Sequence, residues 1–386
     1  MAAGTPKLSP NWQAQCQQAG FRIERLNTLS APKGTKYVCE LTGAPASVQL
    51  VTPYVTLNYA TAESAELSWA SIIHKICPLL GPLRTPPPII GSAEERARRQ
   101  YTLQMSKRAL IDLCKNEASK YLVGARHELA IPSAIESLKF AKEVYGESSI
   151  ELVPSYLLLA EATLGLGRYQ QAEEFLSMAN WSVLKNPKCG NAIRSQLHRN
   201  FGKLYAHQNK HDEALEQLAN DVYFASLEVG PEHVDTAGGY YHMANVFYAQ
   251  NRIENALAFY DKVVDIWYKF LASVRNSGAG GGPDPSTLVG EAQLEEAVEM
   301  LRRILSTREK FLGDIHIATG EARYTLGLLQ LFRGDSALAL EFITKAATIY
   351  HEHLGPDHPS TRDVQEMLAH LNDQMALAGA AGAGDA

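Results

Sequence analysis

The chain has 386 residues, a hydrophobic content of 46% and a formal net charge of −6. This composition supplies enough apolar surface for a buried core, and an acidic chain is not typical of nucleic-acid-binding proteins, which usually carry a basic domain. The five cysteines are scattered and odd in number, which favours reduced thiols in the cytoplasm over a disulfide framework. No run of 18 apolar residues occurs, so we expect no membrane-spanning helix.

The first ninety residues differ in pattern from the rest. Residues 1–36 are a mixed, polar N-terminal extension to which we assign no function, with a short helix expected over 12–29. Residues 37–60 are β-branched and tyrosine-rich with Pro and Gly breaks, a pattern that predicts two short strands and the only β structure of the protein. A helix is expected over 63–80, and the proline-rich residues 81–91 predict an extended linker between domains.

Residues 154–180 predict two short amphipathic helices joined by a turn at Gly167. Tyr156 and Leu159 lie on one face of the first helix at helical spacing, and Ala172 opens the apolar face of the second. The order of an aromatic residue, Leu-Gly, a second aromatic residue and Ala is the tetratricopeptide-repeat (TPR) pattern. Because such a hairpin cannot bury its apolar face alone, its neighbours should repeat it.

The alanine that opens the second helix recurs along the chain in steps of 42 residues, with one step of 41. The six positions are Ala130, Ala172, Ala214, Ala256, Ala297 and Ala339. The residue four positions later is apolar in every case, and the residue twelve positions earlier is small in every case but one. The usual TPR period is about 34 residues. The sequence therefore predicts an all-α TPR superhelical solenoid over residues 92–377, with unusually long repeats of about 42 residues.

The array has one predicted interruption and two predicted ends. It should begin with a helix capped by Ser92. The first helix of the fifth repeat would fall at 278–291, where several glycines and prolines make a helix costly. We therefore expect a flexible loop over about 274–288 and a local break in the stack. A last helix over 360–377 should cap the array, and residues 378–386 should be disordered.

The sequence offers no catalytic motif. It contains no Gly-x-Ser-x-Gly elbow, no His-Glu-x-x-His motif and no kinase signature. His207 and His211 are four residues apart but bracket a predicted turn, with no third metal ligand nearby. His351, His353 and His358 are expected at a helix end, where the helix dipole favours them. We therefore expect no enzymatic activity.

The connections between repeats carry one resemblance. Residues 229–236, 312–319 and 354–361 read VGPEHVDT, LGDIHIAT and LGPDHPST, and they resemble the long TPRs of kinesin light chains. This resemblance implies a cytoplasmic cargo or peptide adaptor as an alternative function. The coiled-coil heptads that would join such an adaptor to a motor heavy chain are not found in the sequence.

The N-terminal segment carries a second resemblance. YVCELTGAP at 37–45 and SWASIIHKICPLLGPLRT at 68–85 are similar to a MYND-type zinc finger that precedes a TPR array. With the further matching stretches the chain resembles a family of ciliary MYND/TPR proteins, best over about 37–271. The further stretches are 151–168, 197–202, 218–226 and 238–248.

This second resemblance implies an accessory scaffold subunit of a single-headed axonemal inner-arm dynein, located in the cytoplasm and the axoneme of cilia or flagella. The implied partners are a second TPR protein and the inner-arm dynein heavy chain, which together dock on doublet microtubules. A lysine methyltransferase of the SET-plus-MYND class would also combine such a finger with a helical tail. It would need a catalytic domain, for which residues 80–100 leave no room.

The MYND-like residues 37–80 depart from the family pattern. A MYND finger holds two zinc ions with seven Cys and one His, but only Cys39 and Cys77 occupy plausible ligand positions here. Thr42 stands where the second Cys of the first pair is expected, and Ile73 stands where a His is expected. Because two thiols cannot complete a tetrahedral zinc site, we expect a degenerate module that binds no zinc and no other cofactor.

A partner-binding surface is expected in the inner groove, which the first helix of each TPR pair lines. The predicted groove residues are Arg199, Asn200, Lys203, Tyr241, His242, Asn245, Tyr248 and Tyr324. Cations beside aromatic and amide side chains suit a peptide that bears a carboxylate. The alternative is that these residues form an ordinary solvated helix face.

Overall fold

The computed structural model describes residues 21–27, 36–84, 92–277 and 289–382. The chain divides into two compact units, Met1–Pro187 and Lys188–Ala386. Both consist mainly of antiparallel helix hairpins, and the first also contains a small sheet. The all-α hairpin-repeat fold predicted from the sequence is therefore confirmed.

The sheet of the first unit has three antiparallel strands in the order β1-β2-β3. They are β1 (Arg22–Arg25), β2 (Val48–Val51) and β3 (Thr56–Tyr59). The two strands predicted within 37–60 are present. The helix predicted over 12–29 is wrong for residues 22–25, which form β1. The register of β1 and β2 pairs Ile23 with Leu50. The local sequence did not reveal β1 because its side chains are mostly exposed and its partner strand lies more than twenty residues away.

A helical segment follows the sheet and packs on the first hairpin. It comprises α1 (Ala62–Ser68), a π-helical stretch (Trp69–Ile73) and α2 (His74–Arg84). The helix predicted over 63–80 is thus present and longer, because residues 81–84 of the predicted linker are helical. The hydroxyl of Ser71 donates to the carbonyl of Leu129 at 2.6 Å, and Tyr121 donates to the Ser71 carbonyl at 2.9 Å. Residues 85–91 of the predicted linker lie outside the described residues.

Two helix hairpins complete the first unit. The helices are α3 (Ala93–Val123), α4 (His127–Tyr145), α5 (Val153–Gly165) and α6 (Tyr169–Lys185), with a 3-10 turn at Ile150–Leu152. The predicted cap of α3 is confirmed: Ser92 accepts from the Glu95 N–H at 3.2 Å, and the Glu95 carboxylate accepts from the Ser92 N–H at 2.9 Å. Gly167, with φ 72°, makes the turn between α5 and α6, as its lack of a Cβ allows.

The second unit contains the remaining helices. They are α7 (Asn191–His207), α8 (His211–Val229), α9 (Val234–Ala249), α10 (Ile253–Ser277), α11 (Glu291–Leu312), α12 (Ile317–Phe332), α13 (Ser336–Leu354) and α14 (Pro359–Gly382). Residues 274–277, predicted as loop, belong to α10, and residues 378–382, predicted as disordered, belong to α14. The rest of the predicted loop, 278–288, and the last four residues lie outside the described part of the chain.

The helix α11, predicted as the second helix of the fifth repeat, lies beside α9. Gln293 near the start of α11 donates to the Asp235 carboxylate near the start of α9 at 2.6 Å. Lys310 near the end of α11 donates to the Tyr248 hydroxyl near the end of α9 at 3.2 Å. The two helices therefore run side by side in parallel. The repeat register predicts α11 as a second helix, but the structure places it beside α9, which is a first helix.

In two hairpins, a close contact between the helices occupies the same positions of the repeat. A Cβ added at Gly202 would lie 2.6 Å from Cγ of Leu218, and one added at Gly327 would lie 2.5 Å from Cγ1 of Ile343. Each glycine is twelve positions before the repeat alanine, and each apolar partner is four positions after it. The small residue therefore sets how closely the two helices approach.

The connections between hairpins share a hydrogen-bond pattern that the sequence analysis missed. Nδ1 of His233 accepts from the Asp235 N–H at 3.2 Å, Nδ1 of His316 accepts from the Ala318 N–H at 3.1 Å, and Nδ1 of His358 accepts from the Ser360 N–H at 3.2 Å. Each histidine thus caps the start of the next helix. We expected the helix dipole to favour His358 at the end of a helix. This expectation is wrong, because His358 accepts a hydrogen bond at the N-terminus of α14.

Gly327→Ala should test the close contact in the last hairpin. The new methyl group would meet Ile343, and overpacking of this kind costs about 1–3 kcal/mol, whereas Ala has about 1 kcal/mol better helix propensity than Gly. We expect a net loss in the free energy of unfolding, measured by chemical denaturation. Because Ile343→Ala removes the Cγ1 atom that the new methyl group would meet, this substitution should cost less stability in the Gly327→Ala background than in the wild type. A variant as stable as the wild type would contradict the contact.

Candidate partner-binding site

One predicted groove residue, Tyr324 of α12, is part of the core. Its side chain is buried, and its hydroxyl donates to the Asp363 carboxylate at 2.7 Å and accepts from Arg275 at 3.4 Å. Burial, followed by the neighbouring Asp363 carboxylate, raises the pKa of Tyr324. Tyr324 therefore links α10, α12 and α14 and does not present a binding surface.

Arg199 of α7 is held by a buried carboxylate. Its Nε donates to Asp221 at 2.8 Å and its Nη2 donates to the Asp235 carbonyl at 2.9 Å. Asp221 is fully buried and also accepts from the Ser195 hydroxyl at 2.5 Å. Gly238 of α9 makes room for the guanidinium, since a Cβ there would lie 2.9 Å from Nη1. Arg199 thus ties α7, α8 and α9 together, because a buried carboxylate requires a charged partner.

The neighbouring Asn200 is also structural. Its side chain is buried, and its amide donates to the Gln196 carbonyl one turn earlier at 3.0 Å. Arg199 and Asn200, which were both predicted to line the groove, therefore stabilise the packing of α7. The sequence could not show this, because the carboxylate that pairs with Arg199 is 22 residues away.

Three predicted residues on α9 pack against other helices. Tyr241 is buried, and burial raises its pKa. The Asn245 side-chain carbonyl accepts from the Tyr260 hydroxyl of α10 at 2.7 Å. Tyr248 accepts from Lys310 of α11, and its ring lies edge-on to that of Phe311 with the centroids 5.9 Å apart. The polar groups of Asn245 and Tyr248 are therefore used in contacts within the second unit.

Lys203 and His242 remain from the predicted set, and the structure adds neighbours to them. Arg199, Lys203 and His207 follow at four-residue spacing on one side of α7, and His242 lies one turn after Gly238, which faces Arg199. Lys203 is therefore next to His242. We call Lys203, His207, His242 and Arg303 of α11 the cationic cluster.

The charge around His242 is strongly positive. Burial lowers the pKa of His242 well below its usual value, and Lys203, Arg199, His207 and Arg303 act in the same direction. Nε2 of His242 is buried without a hydrogen-bond partner among the described residues. The imidazole is therefore held in its neutral form beside three permanent positive charges.

Arg303 was missed by the sequence analysis. Its helix was assigned as a second helix, which would not line the groove, whereas α11 lies beside α9. Arg303 is exposed. The surface is not uniformly positive. The carboxylates of Glu296 and Glu299 in α11 act to raise the pKa of the nearby Tyr241 hydroxyl. The cluster can attract an anionic group, and the carboxylates beside it can restrict which one.

The residues of the MYND-like module do not fit zinc. Burial acts to raise the pKa of the Cys39 thiol, but hydrogen bonds from the Thr42 hydroxyl and from backbone N–H groups outweigh it, so that the pKa is lowered. Thr42, at the position where a second Cys is expected, thus donates to the sulfur. The thiol of Cys77 donates to the His74 carbonyl at 3.8 Å. Within the described ranges, no three His, Cys, Asp or Glu residues are grouped so as to hold a metal ion.

Models of the tetratricopeptide repeat match residues 237–266, which span the hairpin of α9 and α10, and residues 320–343 in α12 and α13. The chain contains tetratricopeptide repeats. No helix in the described part of the chain has the length and apolar character required to cross a membrane.

Several curated proteins are similar to part of the chain. The clustered mitochondria protein homolog of Emericella nidulans is 24% identical over 229 residues, which are 55% of this chain and 18% of that protein. The homolog of Xenopus tropicalis is 22% identical over 172 residues, which are 42% of this chain and 13% of that protein. The chain thus spans less than a fifth of the length of these relatives.

Solved structures of other proteins are also similar to part of the chain. A putative kinesin light chain with nearly identical TPR-like repeats from Podosopora anserina covers 64% of this chain and 94% of its own, with 16% identity and a TM-score of 0.33. BtubC from P. vanneervenii covers the same shares with 17% identity and a TM-score of 0.30. Because the identities and TM-scores are low, these likenesses support no functional inference.

The lowered pKa of His242 predicts a dependence of stability on pH. Because the folded protein favours neutral His242, the unfolded chain binds the proton more readily, with a pKa of about 6.5. The stabilisation is complete above that pH and is lost as pH falls below it, at up to about 1.4 kcal/mol per pH unit. Chemical denaturation at several pH values should show a smaller acid-induced loss in His242→Gln than in the wild type.

If His242→Gln lost stability towards acid as steeply as the wild type, His242 would not be held neutral in the folded protein.

Proposed function

We propose that this protein is a non-enzymatic scaffold that binds partner proteins through the cationic cluster of its second unit. The observation that carries the proposal is the position of Lys203, His242 and Arg303 on three neighbouring helices of a TPR-containing array. TPR arrays commonly bind proteins on the surface formed by their first helices. Positive charge on such a surface speeds association with an acidic partner and selects against basic ones.

The more specific proposal is an accessory subunit of a single-headed axonemal inner-arm dynein. It is supported by the resemblance of residues 151–168 and 238–248 to ciliary MYND/TPR proteins. The partners would be a second TPR protein and the inner-arm heavy chain, and the protein would act in the axoneme of cilia or flagella. The proposal includes no zinc. The Thr42 hydroxyl donates a hydrogen bond to the sulfur of Cys39, and Thr42 stands where a second cysteine ligand would be expected.

A second candidate is a kinesin-light-chain-like adaptor. It is favoured by the connections in which His233, His316 and His358 cap the following helix, since these are the stretches that resemble kinesin light chains. The likeness to clustered mitochondria protein homologs supports shared helical repeats only, because it covers a small part of those proteins.

The experiment is affinity capture of the tagged full-length protein from ciliated cells, followed by identification of dynein and kinesin heavy chains. Wild-type protein should retain one inner-arm dynein species. Lys203→Glu/Arg303→Glu should reduce that capture about tenfold or more, because both substitutions reverse the charge of the cluster. Salt extraction of axonemes should release the variant at lower salt than the wild type.

Arg302→Glu/Lys188→Glu is the matched control, since both residues are exposed and lie outside the cluster. It reverses the same amount of charge and should bind as the wild type does. Equal capture by the cluster variant would exclude the cluster as the binding site. Capture of kinesin heavy chain without any dynein would replace the axonemal proposal with the adaptor.

A further inference from the structure

The first half of α3 extends beyond the helix with which it forms a hairpin. Lys107 pairs with Glu143 at 2.6 Å, and the guanidinium of Arg108 lies 5.8 Å from the ring centroid of Tyr145, the last residue of α4. Residues 93–106 therefore lie past the end of α4, and at 1.5 Å per residue they extend about 21 Å. All of them are exposed except Arg99 and Leu103, which are half-buried.

One face of this segment combines apolar and cationic side chains. Arg98, Tyr101, Met105 and Arg108 are spaced by three, four and three residues, so they lie in a line along the helix. We call them the α3 stripe. The side chains of Tyr101 and Met105 are 65% and 45% exposed. No ion pair or hydrogen bond of the Arg98 side chain is present among the described residues.

The composition of the stripe is that of a protein interface. Tyr, Met and Arg are enriched where proteins bind each other, and Tyr and Arg contribute a large share of the binding energy. Packing contributes little to the stability of residues 93–106, because their side chains are solvated, and short isolated helices are marginal in water. A partner that covered Tyr101 and Met105 would bury their apolar surface and stabilise the segment.

A second copy of this chain is a poor occupant of the stripe. In an antiparallel pairing, Arg98 would lie opposite Arg108 of the other copy, while Tyr101 would lie opposite Met105. In a parallel pairing, each arginine would lie opposite the same arginine of the other chain. Both arrangements place like charges together, which is unfavourable.

We propose that the α3 stripe docks an amphipathic helix of a partner protein in which two apolar side chains lie between two acidic ones. The carboxylates would pair with Arg98 and Arg108, since the arginine fork binds carboxylates through two parallel hydrogen bonds. The apolar side chains would cover Tyr101 and Met105. This inference rests on the proposed scaffold function and adds a second contact surface, in the first unit, with a stated partner chemistry.

The test uses the full-length protein and a labelled synthetic helical peptide with two leucines flanked by glutamates at the matching spacing. Fluorescence anisotropy should show binding that weakens as salt is raised. Arg98→Glu/Arg108→Glu should weaken binding of this peptide about tenfold or more. The same variant should bind a second peptide, in which lysines replace the glutamates, more tightly than the wild type does. Circular dichroism would verify that the variant is folded.

Arg96→Glu serves as the control on the same segment, since Arg96 is exposed and lies outside the stripe. It should bind the first peptide like the wild type. Tyr101→Ala/Met105→Ala should weaken binding of both peptides. Failure of the wild type to bind the first peptide, or equal binding by Arg98→Glu/Arg108→Glu, would overturn the proposal. Concentration-dependent dimerisation that Tyr101→Ala/Met105→Ala abolishes would assign the stripe to a second copy instead.

The variant Lys203→Glu/Arg303→Glu separates this inference from the proposed function. It should bind the first peptide as the wild type does, because its substitutions lie in the second unit. Loss of peptide binding in this variant would assign the peptide to the cationic cluster and overturn the inference. If this variant lost partner capture from ciliated cells but still bound the first peptide, the result would support the cationic cluster as a separate binding site and leave the inference about the α3 stripe standing.

Discussion

The structure depends on one packing constraint, the contact of a small residue on one helix with an apolar residue on its partner. At Gly202 and Leu218, and again at Gly327 and Ile343, no methyl group fits between the helices. Because side chains in protein interiors are close-packed, the size of the small residue fixes the distance between the helices. The two contacts occupy the same positions of the repeat, so these hairpins present similar apolar faces that neighbouring hairpins can cover.

Buried polar contacts hold α11 against its neighbours in the second unit. Arg308 of α11 is fully buried, and its guanidinium donates to the carboxylate of Asp261 in α10 and to the carbonyl of Ala318 in α12. A buried cation is stable only when it is paired in this way. The hydrogen bonds of Gln293 and Lys310 to α9 place α11 beside that helix, and this position brings Arg303 close to His242. The position of α11 therefore supplies part of the cationic cluster.

The two candidate surfaces differ in how they obtain their charge. The cationic cluster of the second unit combines side chains from α7, α9 and α11, so its geometry depends on tertiary packing. The α3 stripe of the first unit lies on a single helix, and its spacing depends on the helical repeat alone.

The sequence by itself determined the hairpins, their period and the close contacts within them, because helical periodicity and the recurrence of small residues are local patterns. It also determined the cap at Ser92 and the turn at Gly167, which follow from side-chain and backbone chemistry within a few residues. Only the tertiary structure decided that β1 is a strand, since its pairing partner is distant in the chain. It also decided that Arg199, Asn200 and Tyr324 are structural and that Arg303 joins Lys203 and His242, because burial and ion pairing across helices depend on contacts that no local pattern encodes.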